Sequence, residues 1–191
     1  VMFNINVSVV IPLYNKAKHI TQAMDSVAQQ VLSPKELIIV DDGSTDNGAS
    51  IATSHAKSFD FPVRVIRQRN QGVSVARNNG VTAASSEYVA FLDADDTWLP
   101  MFLDEMACLV QSFPSIGFYA SRYQCVVNGD DFVDAKINMS LVAKNDCDHE
   151  GFLLKNYFEV AANGDLPFMV SSCLVAKSLF SELGGFPAGE K

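Results

Sequence analysis

Only four cysteines occur in the 191 residues, Cys108, Cys125, Cys147 and Cys173, and no two of them form a C-x-x-C pair. That spacing excludes a zinc knuckle and a disulfide-stapled scaffold, so reduced thiols are expected. Positive charge is scarce as well: 14 Lys and Arg stand against 22 Asp and Glu, for a net charge of −8. With no basic cluster, a nucleic-acid partner or a polybasic membrane patch is not expected. An acidic chain that binds a polyanion needs a cation or backbone donors to do so. No apolar run approaches the roughly 20 residues that span a bilayer. Nor does a charged leader precede an apolar segment, so the chain as given reads as cytoplasmic. Attachment to the cytoplasmic face of a membrane would fall to parts outside it. No G-x-G-x-x-G follows the first apolar run, which disfavours a dinucleotide oxidoreductase.

What is present is an ordinary globular composition, 48% hydrophobic and 19% charged, without repeats or low-complexity linkers. The length suits a single domain spanning residues 1–191. Val7-Ser8-Val9-Val10-Ile11 is a β-branched run closed by Pro12, the mark of a buried strand leading into a loop. Ile20, Met24, Val27 and Val31 then recur on one helical face, and Pro34 ends that segment. Glu36 to Val40 reads as a second strand and Asp41 to Asp46 as the turn after it. A helix through Ile51 and Phe59, a strand at Val63 to Ile66, a small-residue helix from Gly72 to Ser86 and a strand at Tyr88 to Leu92 follow. A helix from Pro100 to Phe113 faces inward through Leu103, Met106, Val110 and Phe113. Four alternations of strand and helix predict a mostly parallel α/β sheet flanked by helices, with ligands beyond the carboxyl ends of the strands.

Beyond Phe113 the pattern loosens. It predicts a strand at Gly117 to Tyr123, polar loops, a short helix near Gly151 to Phe158, a strand at Phe168 to Val175, and a helix at Lys177 to Leu183 capped by Gly184-Gly185.

Two of the predicted strand ends are acidic. Phe91-Leu92-Asp93-Ala94-Asp95-Asp96 carries three closely spaced carboxylates. Alternate strand side chains point the same way, so Asp93 and Asp95 can converge on one point. Hard oxygen ligands of this kind suit Mg²⁺ or Mn²⁺, which often take one or two carboxylates plus phosphate oxygens of a substrate. A solvated acidic turn accounts for the same residues.

Taken together, Val9-Val10-Ile11-Pro12-Leu13-Tyr14-Asn15, Ile38-Ile39-Val40-Asp41-Asp42-Gly43-Ser44-Thr45-Asp46 and Asp93-Ala94-Asp95-Asp96 resemble, in order and spacing, glycosyltransferase family 2. Asn70-Gln71-Gly72, Ala76-Arg77-Asn78-Asn79-Gly80 and Leu183-Gly184-Gly185-Phe186 extend the resemblance over essentially the whole chain. It implies the GT-A nucleotide-binding fold, here C-terminally truncated. Residues 1–100 would form the nucleotide-sugar-binding half and residues 101–191 an incomplete acceptor-side half. It also implies metal-dependent, inverting sugar transfer from a nucleotide-diphosphate sugar, with UDP favoured. The acceptor would be a saccharide or lipid-linked, as in bacterial surface polysaccharide synthesis.

Carried over position by position, the resemblance places Pro12 and Tyr14 beside the base and has Asp41 hydrogen-bond the base or ribose. Asp42 would join the nucleotide site, although Asp-Gly-Ser is also good turn chemistry. Arg77 would reach the diphosphate. Asp93 would face the ribose or donor sugar, Asp95 would bind Mn²⁺ or Mg²⁺ with Asp93 nearby, and Asp96 would act through water or be structural. The family's base lies in a Glu-Asp pair a few residues past Gly-Gly-Phe, whereas this chain stops at Pro187-Ala188-Gly189-Glu190-Lys191. The catalytic base is therefore expected beyond Lys191, and Glu190 is a poor substitute. Ser171 and Ser172 would fall near the acceptor or donor sugar.

Two alternatives stand beside this one. Asp93-Ala94-Asp95-Asp96-Thr97, with Gly129-Asp130 and Asp134, fits the acidic motifs of haloacid-dehalogenase-type phosphatases. The interval between them is too short for that fold. A non-catalytic nucleotide-sugar-binding domain is the other. Asp146-Cys147-Asp148-His149-Glu150 holds several ligand types, but consecutive residues cannot all face one ion. Trp98 is assigned to core packing, and His19 and His55 to helix surfaces or packing.

Overall fold

The computed structural model describes residues 5–127, 131–137, 154 and 161–189. In chain order the elements are β1 (Val7–Leu13), α1 (Ile20–Ala28), β2 (Glu36–Asp41), α2 (Gly48–His55), β3 (Val63–Arg67), α3 (Val73–Ala83), β4 (Tyr88–Phe91) and α4 (Phe102–Ser112). They continue with β5 (Phe118–Ala120), β6 (Gln124–Val127), β7 (Asp131–Asp134), β8 (Cys173–Ala176) and α5 (Lys177–Glu182). Six strands form one sheet in the order β3-β2-β1-β4-β8-β5. The pairs β3–β2, β2–β1 and β1–β4 are parallel, and β8 runs antiparallel between β4 and β5.

The strand period of two separates the core into two layers. Val7, Val9, Ile11 and Leu13 of β1, with Leu37, Ile39, Ala90 and Leu92, meet Ile20, Met24 and Val27 of α1 and Leu103 and Met106 of α4. Val10, Ile38, Val40, Val89 and Phe91 point the other way, onto Ala76 and Val81 of α3. Gly80 of α3 lies so close to β1 that a Cβ there would come within 2.3 Å of Val10 Cγ1. The small-residue composition of α3 thus has a packing cause: it lets the helix that carries Arg77 lie directly on the central strand.

Several boundaries differ from those the sequence predicts. β1 runs on through Pro12, buried and in register with Val40, to Leu13. α1 stops at Ala28 because Gln30 turns inward, donating to the Ser26 and Leu99 carbonyls and accepting from Leu103 N–H. Val31 therefore faces solvent. β8 begins only at Cys173, since Met169 and Ser172 exchange hydrogen bonds across a 3-10 turn at Val170–Ser172. β5 shrinks to Phe118–Ala120. A hairpin of β6 and β7 stands where polar loops are expected, and because its side chains are all exposed no burial pattern marks it. The expected helix near Gly151 to Phe158 lies outside the described residues, as do Cys147 and the Asp146–Glu150 cluster.

Cys108, Cys125 and Cys173 are free thiols, and burial pushes that of Cys173 up to about 12.

The amino-terminal end of the sheet is held by one buried carboxylate. Glu36 accepts from Ser8 Oγ (2.8 Å), Ser85 N–H (2.7 Å), Ser85 Oγ (2.7 Å) and Arg64 Nη2 (2.7 Å). Desolvation works against the charged form, but these donors outweigh it and lower its pKa from 4.5 to about 2. A carboxylate depressed on folding stabilises above its unfolded pKa, and the contribution fades as pH falls from 4.5 toward 2. We predict that Glu36→Gln costs about 1.5–3 kcal/mol at neutral pH, the range for hydrogen bonds to a charged group. In urea titrations its gap to the wild type should close as pH drops through that window. A gap constant with pH would refute the charge-based account. Gly80→Ala should lower stability by about 1–3 kcal/mol through overpacking on Val10, despite alanine's better helix propensity. A melting temperature equal to the wild type would show that α3 can lift off at no cost.

Candidate functional site

Because β2, β1 and β4 are parallel, the loops after them leave the sheet at one edge, and the order reverses between β2 and β4 about β1. Asn15, just past β1, adopts φ 52° and accepts from Thr45 N–H (2.8 Å), Thr45 Oγ1 (3.2 Å) and Asp46 N–H (3.3 Å). Its own N–H donates to Ser44 Oγ, and Asp46 takes Ala17 N–H. An asparagine tolerates the left-handed conformation and supplies the acceptor, so the two loops are locked together. Tyr14 projects from this junction, 48% exposed, while Pro12 is buried beneath it in β1.

Asp41 and Asp42 have different duties. Asp41 is fully buried, with Oδ1 accepting from Ser44 N–H and Oδ2 from Arg67 Nε at 2.9 Å. Asp42 accepts from Gln68 Nε2 (2.8 Å), Gln71 N–H (2.8 Å) and Gly72 N–H (2.9 Å). It clamps the segment that opens α3. Gly43 at φ +72° permits the close approach, since a Cβ there would sit 2.8 Å from Asn70 N.

The acidic turn after β4 is knitted from three sides. Arg77 Nη2 donates to Asp93 Oδ1 at 2.6 Å, and the guanidinium is nearly buried, with Nε lacking a partner among the described residues. Lys16 Nζ, delivered by the locked loop, lies 2.5 Å from Asp95 Oδ2. Ser171 Oγ accepts from Asp93 N–H at 3.0 Å and donates to Asp96, while its carbonyl takes the Trp98 indole N–H. Trp98 is otherwise buried and stacked on Phe102 at 4.3 Å, as a core residue. Ser171 therefore organises the turn from a 3-10 segment and is not a strand residue.

The charges answer one another. The hydrogen bond that Lys16 donates to Asp95 raises the lysine's pKa, helped by the Asp95, Asp93 and Asp96 charges. Desolvation opposes ionisation of Asp95, yet Lys16 lowers its pKa. Desolvation raises that of Asp96, and the neighbouring Asp93 and Asp95 add to it against the Ser171 hydrogen bond.

Among the described residues no three His, Cys, Asp or Glu side chains form a ready-made cation cage. Asp93 and Asp95 still fit an ion of the Mg²⁺ type, which takes one or two protein carboxylates and completes its shell from phosphate and water. Their oxygens are hard donors in a cluster whose countercharge is Lys16 and Arg77.

The structure thus brings Tyr14, Asp41, Asp42, Arg77, Asp93 and Asp95 to one edge of the sheet, with Pro12, Asp41 and Asp42 buried, and ties Asp96 to Ser171. Sequence reasoning missed Lys16 and Arg67, the cations on Asp95 and Asp41. Lys16 does directly follow the Pro12–Asn15 motif, a signal in plain view. Arg67 at a strand end carries none. His55 pairs with Asp25 between α2 and α1, and Asp134 is held by Gln124 in the β6–β7 hairpin. Since Lys16 occupies an oxygen of Asp95 that a cation would use, Lys16→Met should tighten Mn²⁺ binding several-fold, read from the loss of the free-Mn²⁺ paramagnetic resonance signal. Unchanged affinity would mean that the pair does not compete with the ion.

Comparison with known proteins identifies the family and the fold. The family described as Glycosyl transferase family 2 matches residues 8–179. A glycosyltransferase of Rickettsia felis, uncharacterised, is 41% identical over 178 residues, which is 92% of this chain and 25% of the relative. An uncharacterised glycosyltransferase of Haemophilus influenzae is 28% identical over 181 residues, 93% of this chain and 55% of the relative. A third, from a Nostoc species, is 38% identical over 125 residues, 65% of this chain and 38% of the relative. The chain thus spans a quarter to just over half of their lengths. Among solved structures, S. aureus TarS 1–349 in complex with UDP-GlcNAc superposes with a TM-score of 0.70 at 24% identity, covering 96% of this chain and 49% of that one. A mannosyltransferase from Pyrobaculum calidifontis, in complex with GDP-Man and Mn²⁺, gives 0.63 at 22% identity, covering 96% and 48%. The chain belongs to glycosyl transferase family 2 and has the GT-A fold.

Proposed function

We propose that this chain binds a nucleotide-diphosphate sugar, UDP-linked by preference, and supplies the donor side of an inverting, metal-dependent transfer to a saccharide or lipid-linked acceptor. Bacterial surface polysaccharide synthesis is the setting this reading favours. The observation that carries it is the pairing of Arg77 with Asp93 and of Lys16 with Asp95 at the carboxyl edge of the parallel sheet. Two cations and two carboxylates, on two loops and helix α3, match what a diphosphate with its counter-ion requires. TarS holds UDP-GlcNAc and the Pyrobaculum enzyme GDP-Man with Mn²⁺ on the same fold, which supports a nucleotide-sugar ligand. Family membership sets aside the phosphatase reading of Asp93 and Asp95.

In this reading Tyr14 lies beside the base, and the buried Asp41 fixes the Ser44 turn and Arg67 at the nucleoside pocket. Arg77, kept dry by its burial, directs its guanidinium at the phosphates, where a planar fork of donors suits paired oxygens. Lys16 moves from Asp95 to the diphosphate as ligand enters. A bound Mg²⁺ or Mn²⁺, held by Asp95 with Asp93, would neutralise the leaving diphosphate. Inversion requires a base opposite the leaving group that deprotonates the acceptor hydroxyl. The residues brought together at the sheet edge bind and orient the donor.

Thermal melts with UDP and GDP, with and without Mn²⁺, test the reading. Ligand at 100 times its Kd stabilises by about 2.7 kcal/mol. For a chain of this size that corresponds to a rise of about 5–10 °C in Tm. UDP with Mn²⁺ should produce it, and Asp95→Asn should remove the Mn²⁺-dependent part. If neither nucleotide moves the wild-type Tm, the donor-site reading fails.

A further inference from the structure

We propose that Asn78 is a positioning residue for the nucleotide site, holding Arg77 in place through the main chain of Phe186. The inference rests on the donor-site reading of Arg77. Asn78 and Phe186 are 108 positions apart, yet the side-chain amide of one grips the peptide groups of the other twice. Asn78 Nδ2 donates to the Phe186 carbonyl at 2.9 Å, and Phe186 N–H donates to Asn78 Oδ1 at 2.9 Å. A primary amide carries a donor and an acceptor side by side, so it can meet the N–H and C=O of one residue together. A carboxylate cannot, having no donor when ionised.

The turn that offers Phe186 is shaped for this contact. Gly184 and Gly185 take φ values of +80° and +75°, and Gly184 N–H and Gly185 N–H close α5 on the carbonyls of Ser181 and Phe180. A Cβ on Gly185 would stand 2.8 Å from Asn78 Oδ1 and 3.1 Å from Phe180 Cε1. Glycine is thus required twice over, for the left-handed backbone and for the space the amide fills.

What the clasp presents is the Phe186 ring. Its centroid lies 5.3 Å from Arg77 Cζ, within cation–π range, and the ring packs edge-on against Phe91 of β4 at 5.3 Å and near Phe180 at 5.6 Å. Consecutive residues of α3 therefore divide the work. Arg77 runs between the ring and Asp93, while Asn78 fixes the ring's backbone. Without the clasp the ring loses its anchor, and the buried guanidinium loses the wall that keeps Nη2 on Asp93. The Leu183–Phe186 segment, a family-like motif without chemistry of its own, thereby acquires a role as the floor under the phosphate-binding arginine.

Calorimetric titration of UDP in the presence of Mn²⁺ tests this in the wild type, Asn78→Ala, Asn78→Asp, Arg77→Ala and the Arg77→Ala/Asn78→Ala double variant, each with its Tm. Asn78→Ala and Asn78→Asp should weaken UDP binding about tenfold, equivalent to about 1.4 kcal/mol. The double variant should bind no more weakly than Arg77→Ala, because one effect passes through the other. Should Asn78→Ala not fold, Asn78→Asp, which keeps the acceptor facing Phe186 N–H, carries the same comparison. A fall in Tm with Kd unchanged, or losses that add in the double variant, would overturn the role and leave Asn78 a structural brace. A wild type that binds UDP not at all would remove the donor-site reading, and this inference with it.

Discussion

The complete burial of β1 is the constraint on which the remaining architecture rests. All seven of its residues are inside, flanked by β2 and β4 in parallel register. A strand enclosed on both faces and both edges can reach no water, so each backbone group must be paired and each side chain packed. The odd positions meet α1 and α4, and Val10 between them meets α3. Parallel pairing then brings the carboxyl ends of β2, β1 and β4 to one edge, where Asp41, the Tyr14–Lys16 loop and the Asp93–Asp96 turn emerge as neighbours.

Charge at that edge is arranged as pairs. Three carboxylates at that edge each have their own cation: Arg67 on Asp41, Arg77 on Asp93, Lys16 on Asp95. The partners differ in burial. Arg77 is enclosed between Asp93 and the Phe186 ring, whereas Lys16 is 42% exposed and its pair is screened by water. Exposure makes the second pair the cheaper one to open. In the proposed donor site it is this pair that a ligand's charges would displace, with the Arg77 pair kept as the rigid reference.

Support comes from residues whose chemistry is spent on loops. Asn15 locks the β1 loop to the β2 turn, Asp42 gathers the start of α3, and Ser171 ties the acidic turn to the segment before β8. Each of these fixes the backbone of a loop at the carboxyl edge of the sheet. The resemblance groups Asp41 with Asp42, but their environments separate them. Asp41 meets a cation and one amide, while Asp42 is consumed by two backbone amides and a glutamine.

The strand–helix alternation through Phe113, the parallel half of the sheet and the acidic strand ends were legible in the sequence, because periods of 2 and 3.6 and turn chemistry are local properties. Residues beyond Phe113 were less so. The β6–β7 hairpin hides no side chain, and β8 starts only where the Met169–Ser172 exchange ends. The partners of each charge were not legible at all. Lys16 meets Asp95 across 79 positions, Arg67 meets Asp41 across 26, and Asn78 meets Phe186 across 108. Local pattern determined which segments would be strands and helices and which strand ends would be acidic. Only the packed sheet decided which cation faces which carboxylate and which glycine must yield to an amide, because those contacts exist only once distant segments share one edge.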